Sequence, residues 1–174
     1  MKKCNAWRAA AMLAAAACAS VCATAYASVG AGSANSPEPA ADTKWELVVA
    51  PFTHHWHKDA EHRRVVLLGL ERIAPDGSTV GGALFSNSFG QASAYVYYGH
   101  EWNALLGTDS LYFKLSGGII YGYRGRFKDK VPFNVGGFSP AIVPAIGWRL
   151  TPRDAIQAAV LGRAGVTFSY NRRF

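Results

Sequence analysis

The stretch PFTHHWH, residues 51–57, contains three of the five histidines of the chain. A histidine beside a hydroxyl group can act as a general base, because its ordinary pKa lies close to neutral pH. His55 and His57, two residues apart on one strand face, could instead chelate zinc, although no clear third ligand accompanies them. A third interpretation is that these histidines belong to a solvated polar loop. Which of the three holds depends on the element that carries the stretch.

The N-terminal segment has the pattern of a secretory signal peptide. A basic start precedes an Ala-rich run, and Ala25-Tyr26-Ala27 forms an A-x-A cleavage site. We therefore expect residues 1–27 to be removed near Ala27, and residues 28–44 to form a flexible periplasmic tail. All three cysteines, Cys4, Cys18 and Cys22, lie in the segment to be removed, which excludes disulfides and thiol nucleophiles from the mature chain. A lipoprotein cysteine at Cys18 or Cys22 is the alternative.

The net charge of +7 includes three basic residues of the signal peptide, so the mature chain carries +4. For an exported protein this charge is too small to predict a nucleic-acid partner.

The C-terminal sequence GVTFSYNRRF alternates with a period of two. Val166, Phe168, Tyr170 and Phe174 fall on one face of a strand and polar residues on the other, which is typical of a transmembrane β-strand. A terminal Phe174 on the apolar face also fits the signal that barrel-assembly machinery reads in bacterial outer-membrane barrels. The edge strand of a periplasmic sandwich is the alternative.

Strand-like runs alternate with turn sequences from Trp45 to the end of the chain. Eight runs of about ten residues match the smallest closed outer-membrane barrel. The sequence therefore predicts an all-β fold, an eight-stranded antiparallel up-and-down transmembrane β-barrel over residues 45–174. The predicted strands lie near 45–55, 64–73, 79–86, 93–102, 110–123, 138–149, 155–162 and 165–174.

An even number of strands places both termini in the periplasm and four loops, 56–63, 87–92, 124–137 and 162–165, at the outer face. Strands two, six and seven carry small and apolar residues on both faces, so much of the interior is expected to be apolar, with room for a hydrocarbon chain. A well-packed inert core is the alternative. Pro140 and Pro144 remove ladder donors from a strand that needs them, which indicates a lateral opening or a bulge near the rim.

Five segments in order along the chain carry a resemblance to a known family. They are LVVAPFTHH (47–55), ALFSNSF (83–89), YYGHEW (97–102), VPFNVGGFSPAIVPAIGWRL (131–150) and the terminal FSYNRRF. The chain resembles the lipid A palmitoyltransferase (PagP) family, whose members are outer-membrane barrels that move a palmitoyl chain from phospholipid to lipid A.

The resemblance implies a catalytic site at the outer rim and a pocket for the acyl chain. His55 would be the base, Ser88 the nucleophile or a polar assistant, and Asn87, in place of the family's carboxylate, an orienting amide. Gly99 would line the acyl pocket, and Pro51, Pro140 and Pro144 would border lateral gaps that admit lipid.

The expected partners are membrane lipids, namely phospholipid and lipid A, with no cofactor and no metal. Arg124, Arg126 and Lys128 of the third loop are candidates to bind lipid A phosphates, unless they form only a solvated loop. We expect a monomer in the bacterial outer membrane. Two alternative functions remain, a non-enzymatic structural or adhesion barrel and a lipid A deacylase. The structural barrel predicts that His55 and Ser88 point apart and that side chains fill the interior.

Overall fold

The computed structural model of the chain describes residues 43–57 and 60–174. These residues form eight antiparallel strands, and β1 pairs with β8 to close the barrel. The predicted fold class is therefore confirmed. The predicted signal peptide, and the predicted tail up to residue 42, lie outside the described residues. The strands are β1 (Lys44–His55), β2 (Leu67–Ile73), β3 (Ser78–Ser86), β4 (Ala92–Trp102), β5 (Leu111–Tyr121), β6 (Phe138–Arg149), β7 (Asp154–Val160) and β8 (Gly165–Arg173).

The barrel has two unlike ends. The turn end carries the start of β1, the end of β8 and the connections 74–77, 103–110 and 150–153. The loop end carries the connections 56–66, 87–91, 122–137 and 161–164, and the third of these contains the 3-10 helix Gly125–Lys130. No helix in the described part of the chain has the length and hydropathy needed to cross a membrane.

The turn between β2 and β3 shows how the sequence PDGS ends a strand. Gly77 has a φ of 89°, a left-handed conformation that favours glycine. Both the backbone N–H and the hydroxyl of Ser78 donate to the Asp76 carboxylate. These hydrogen bonds lower the pKa of Asp76, because they stabilise its charged form.

The outer surface of the barrel is apolar, as the period-two pattern predicts. Trp45, Trp102 and Trp148 lie toward the turn end, where they form part of an aromatic girdle of the kind found at membrane interfaces. This arrangement suits lipid around the barrel and polar groups within it. Further exposed, outward-facing residues are Leu47, Phe52, Leu68, Leu70, Val96, Ile119, Ile142, Ile146, Ile156, Phe168 and Tyr170.

The interior of the turn half is filled by a cluster of charged side chains, which we call the charged layer. It consists of Glu46, Glu71, Glu101, Lys114, Arg149 and Arg173. Lys114 contacts all three carboxylates, and Arg173 bonds two of them. The expectation of a largely apolar interior is therefore wrong for this half. The six charged residues stand on six different strands, and none of them is adjacent to another in sequence. No single stretch of the sequence therefore reveals the layer.

The interior of the loop half is built from smaller side chains. Tyr97 lies above the charged layer, where its hydroxyl donates to Glu71 and its ring stacks on Tyr95 at 4.8 Å between centroids. Gly81 makes room for this ring, since a Cβ there would lie 2.6 Å from it. Small residues line much of this half, as expected, but the expectation of an apolar lining is met only in part, because Thr53, Ser116 and Thr167 are buried polar residues. The inward-facing residues of this half include Val48, Ala50, Ala83, Ser116, Gly118, Ala141 and Val143.

Candidate active site at the loop end

A bulge in β1 determines which histidine enters the barrel. Where β1 has Ala50 and Pro51, its partner β8 has a single residue between the flanking pairs. One extra residue shifts the alternation of side chains by one. An unbroken alternation from the inward-facing Ala50 would have pointed His54 into the barrel. With the bulge, His55 points inward, and His54 is exposed beside Trp56.

His55 and Ser88 form a hydrogen-bonded pair at the inner rim of the loop end. The Nε2 atom of His55 lies 2.6 Å from Ser88 Oγ, and Ser88 is only 8% exposed. In the neutral tautomer that carries its proton on Nδ1, Nε2 can accept a proton from the serine hydroxyl. The pair thus has the arrangement of a hydroxyl group with its general base.

Asn87 shapes the turn that presents Ser88. Its Oδ1 accepts from the backbone N–H groups of Phe89 and Gln91, both at 3.0 Å, and its Nδ2 approaches Gly122 O at 3.5 Å. The side chain is almost completely buried, with 1% of its surface exposed. Among the described residues, none of its hydrogen bonds goes to His55. The predicted orienting amide is therefore a framework residue of the 87–91 turn.

His62 is a second imidazole at this site that sequence reasoning missed. Its ring lies 4.4 Å from the ring of His55 between centroids, and 5.5 Å from the ring of Phe89. No periodic pattern in the 56–66 loop indicates this contact. Within residues 43–57 and 60–174, no group of three histidine, cysteine, aspartate or glutamate side chains is placed to hold a metal ion. His57, the other member of the hypothetical zinc pair, follows the end of β1 and is exposed.

The barrel wall has two gaps near the loop end. β6 pairs with β5 along its length but with β7 only over Ala145–Arg149, so residues 138–144 have no strand partner on that side in the described chain. β1 pairs with β2 only as far as Ala50, whereas its pairing with β8 continues to His55. The gaps thus lie between β6 and β7 and between β1 and β2.

The prolines of β6 fit the open edge of that strand. Leu150 N donates to Asp154 O on the β7 side, and successive residues of a strand alternate between its two neighbours. Pro140 and Pro144 therefore have their missing N–H groups on the side of the gap. A donor facing lipid without a partner is costly, and proline removes it.

Pro51 occupies the corresponding place at the other gap. It lies in the β1 bulge where the pairing with β2 ends, and it contributes no N–H. Its carbonyl oxygen accepts a hydrogen bond from Arg64 Nε at 3.1 Å across the gap. The structure thus places all three predicted gap-bordering prolines beside the two gaps.

Gly99 faces the interior at the boundary between the charged layer and the loop half. It pairs with Ser116 on β5 and with Thr79 on β3, and a Cβ at this position would lie 2.5 Å from Leu115 O. Close approach of β5 is therefore a sufficient reason for glycine here. The contact is with the barrel wall, which differs from the open space expected for a residue lining an acyl pocket.

The three basic residues predicted to bind phosphate have different surroundings. Arg124 folds back over the ring of Tyr121, at 5.5 Å from its centroid. Arg126 forms an ion pair with Glu61 at 2.7 Å. Lys128 lies exposed in the 3-10 helix. The structure therefore does not bring these three side chains together around one point.

Comparisons with known proteins establish the architecture. No family model matches the sequence, and no curated protein matches it. A de novo designed transmembrane β-barrel is similar in structure, with a TM-score of 0.54 at 13% identity over 79% of this chain and 98% of that one. The outer membrane protein Ail of Yersinia pestis, determined in a phospholipid bilayer nanodisc, gives a TM-score of 0.43 at 10% identity over 76% of this chain and 100% of that one. The closed eight-stranded architecture and the similarity to the designed barrel show that the described residues have the fold of a small transmembrane β-barrel.

Proposed function

We propose that this barrel is an outer-membrane acyltransferase that moves a fatty acyl chain from a phospholipid to lipid A. The observation that carries the proposal is the hydrogen bond between His55 Nε2 and Ser88 Oγ. It joins two loop-end side chains that are 33 residues apart, whereas a purely structural barrel was expected to point them apart. The resemblance of the sequence to lipid A palmitoyltransferases supplies the substrate class.

The surroundings of the pair suit a lipid substrate. The gap between β1 and β2 begins at Pro51, on the strand that carries His55, and gives a lipid tail a lateral route from the membrane. Small side chains of the loop half, such as Ala50, Ala83 and Val143, offer a partly apolar lining, and the charged layer closes the barrel below it. An acyl chain would therefore extend from the pair into the loop half.

The reaction follows two balanced steps. Ser88 Oγ attacks the ester carbonyl of the phospholipid while its proton passes to His55 Nε2, and the lysophospholipid oxygen leaves with that proton. A hydroxyl group of lipid A then attacks the acyl-serine and gives its proton to His55. His55 passes this proton to the departing Ser88 Oγ, which regenerates the serine and leaves a new ester on lipid A. Asn87 holds the turn in the conformation that aims Ser88 at His55. The oxygen of the Asn87 amide accepts the same two backbone N–H groups that a carboxylate oxygen could accept. Asparagine can therefore replace the family's carboxylate in shaping this turn, which is compatible with activity.

The location and partners belong to the same proposal. The signal-peptide pattern and the apolar outer surface support an outer-membrane location, with the loop end facing the cell exterior. Phe174 is exposed at the turn end, and its N–H donates to Trp45 O, so β8 presents a terminal aromatic side chain that assembly machinery could bind. The barrel is closed without a second copy, which fits a monomer.

The test compares lipid A from cells that express the wild type, His55→Ala or Ser88→Ala, with His54→Ala as the matched control. We expect wild type and His54→Ala to increase the mass of lipid A by one acyl group, and both site variants to lose the increase. Heat-dependent gel mobility confirms that each barrel is folded.

Two other results would replace the proposal. A loss of one acyl group from lipid A that depends on Ser88 would indicate a deacylase. Unchanged lipid A with a folded wild-type barrel would favour the structural or adhesion barrel, which the side-chain-filled turn half would also suit.

A further inference from the structure

A cavity of about 200 Å³ lies at the loop end, and its wall includes Phe89, the residue that follows Ser88. It is smaller than the roughly 300–1,000 Å³ of pockets that enclose a whole drug-sized ligand, so it suits one polar fragment of a lipid. Its lining residues are Ala60, Glu61, Arg63, Phe89, Arg126 and Phe127.

Arg63 connects this cavity directly to the serine. Its backbone N–H donates to Ser88 O at 2.7 Å, which fixes the 56–66 loop against the 87–91 turn. Its side chain crosses Gly90, where a Cβ would lie 2.9 Å from Arg63 Cδ. Gly90 has a φ of 74°, so glycine is favoured both by the backbone and by the space that Arg63 takes.

Arg126 forms the opposite wall. Its guanidinium lies over the ring of Phe127 at 4.6 Å, and Phe127 stacks on Phe89 with 4.3 Å between centroids. The ion pair of Arg126 with Glu61 is open to solvent, since the side chains are 72% and 46% exposed. Such an exposed pair contributes little stability, so an incoming anion can compete with the carboxylate.

The charge around the cavity favours an anion. Among the described residues that line the cavity, the guanidinium groups of Arg63 and Arg126 accompany one carboxylate, that of Glu61. The ammonium group of Lys130 lies over the Phe89 ring at 5.3 Å. Guanidinium groups bind phosphate oxygens through paired, charge-assisted hydrogen bonds. We infer that Arg63 and Arg126 form a phosphate-binding pocket for the phosphodiester of the acyl donor, placed so that the donor's ester reaches Ser88.

The position of the pocket favours the donor over lipid A. Phe89 directly follows Ser88, and Arg63 is bonded to Ser88 through its backbone, so an anion in the pocket lies close to the reacting hydroxyl. In a glycerophospholipid the phosphate and the acyl esters share one glycerol unit and are similarly close. That the bound phosphate belongs to the acyl donor rests on the proposed function. That the pocket binds a phosphate group does not.

The binding test uses the whole barrel in an uncharged maltoside detergent, with chemical shifts of the cavity residues as the readout. The probes are dihexanoylphosphatidylglycerol, dihexanoylglycerol, which lacks the phosphate, and inorganic phosphate. We expect the phosphatidylglycerol to bind and the diacylglycerol not to perturb the cavity. Arg63→Gln and Arg126→Gln should each weaken binding about tenfold, the effect of losing one charge-assisted hydrogen bond. The control is Arg163→Gln, an exposed arginine of the 161–164 loop, which should bind as the wild type does.

Two further arms separate the possible results. Glu61→Gln removes the competing carboxylate and should tighten binding several-fold. In the transfer reaction, Arg63→Gln should raise KM for phosphatidylglycerol and leave kcat nearly unchanged. Equal binding of phosphatidylglycerol and diacylglycerol would show that the pocket does not bind the phosphate. Arginine-dependent binding of lipid A or inorganic phosphate, without binding of phosphatidylglycerol, would show that the pocket does not serve the acyl donor. Binding of phosphatidylglycerol needs no turnover and can be measured in Ser88→Ala. The phosphate pocket can therefore be confirmed even if acyl transfer is disproved.

Discussion

Lys114 offers the sharpest test of the charged layer, because it links three carboxylates inside the turn half. Its Nζ bonds Glu71 and lies 3.4 Å from Glu46 and 3.8 Å from Glu101, and its side chain is only 5% exposed. In Lys114→Met, Glu46 and Glu101 keep Arg173 as a partner, whereas Glu71 keeps, among the described residues, the hydroxyl of Tyr97 alone. Removal of one partner of a buried ion pair costs about 3–5 kcal/mol.

We therefore expect Lys114→Met to lower the free energy of unfolding by roughly that amount. The assay is reversible urea unfolding of the barrel in lipid vesicles, followed by tryptophan fluorescence. Glu71→Gln in the same chain removes the carboxylate left without its cation and should restore part of the loss. The control is Arg172→Gln, whose ion pair with Asp154 lies on the outer surface and should matter little. A loss in Lys114→Met no larger than in this control would show that Lys114 does not stabilise the three carboxylates of the charged layer.

Two further predictions concern the barrel wall. Gly99→Ala should lower the free energy of unfolding by about 1–3 kcal/mol, because the new Cβ meets Leu115 O. Gly117→Ala is the control and should be neutral, because a Cβ there has nothing within 4 Å. Urea unfolding measures both variants, and equal stabilities would show that Gly99 is not tightly packed against β5. The Ile142 amide, which faces the β6–β7 gap, should exchange with deuterium faster than the amide of Val143, which faces β5. Equal protection of these two amides by NMR would mean that the wall is closed.

The outer surface of the barrel was predictable because it follows from one strand at a time. The period-two pattern of GVTFSYNRRF gives the outward face of β8, and the predicted limits of β6, 138–149, agree with the structure. Prolines were equally informative, since proline in a paired strand has few places to lie. These features depend on local spacing, which is visible in the sequence.

The interior was harder to predict because it depends on neighbours that are distant in sequence. The carboxylates and cations of the charged layer lie on six different strands, far apart in sequence, and only the barrel register brings them together. The 56–66 loop has no periodicity, so the contact of His62 with His55 had no signal. The bulge at Pro51 is an intermediate case, because its proline was recognised but its effect on the face of His55 was not.

Acyl transfer by this barrel can be measured with a labelled acyl chain and purified components. The purified barrel is placed in vesicles that contain lipid A and a phospholipid with a ¹³C-labelled palmitoyl chain, and the products are separated by mass spectrometry. We expect labelled palmitoyl-lipid A and lysophospholipid in equal amounts with the wild type and with His54→Ala, and neither product with Ser88→Ala or His55→Ala. Labelled free palmitate without labelled lipid A, or no product from a folded wild-type barrel, would contradict it.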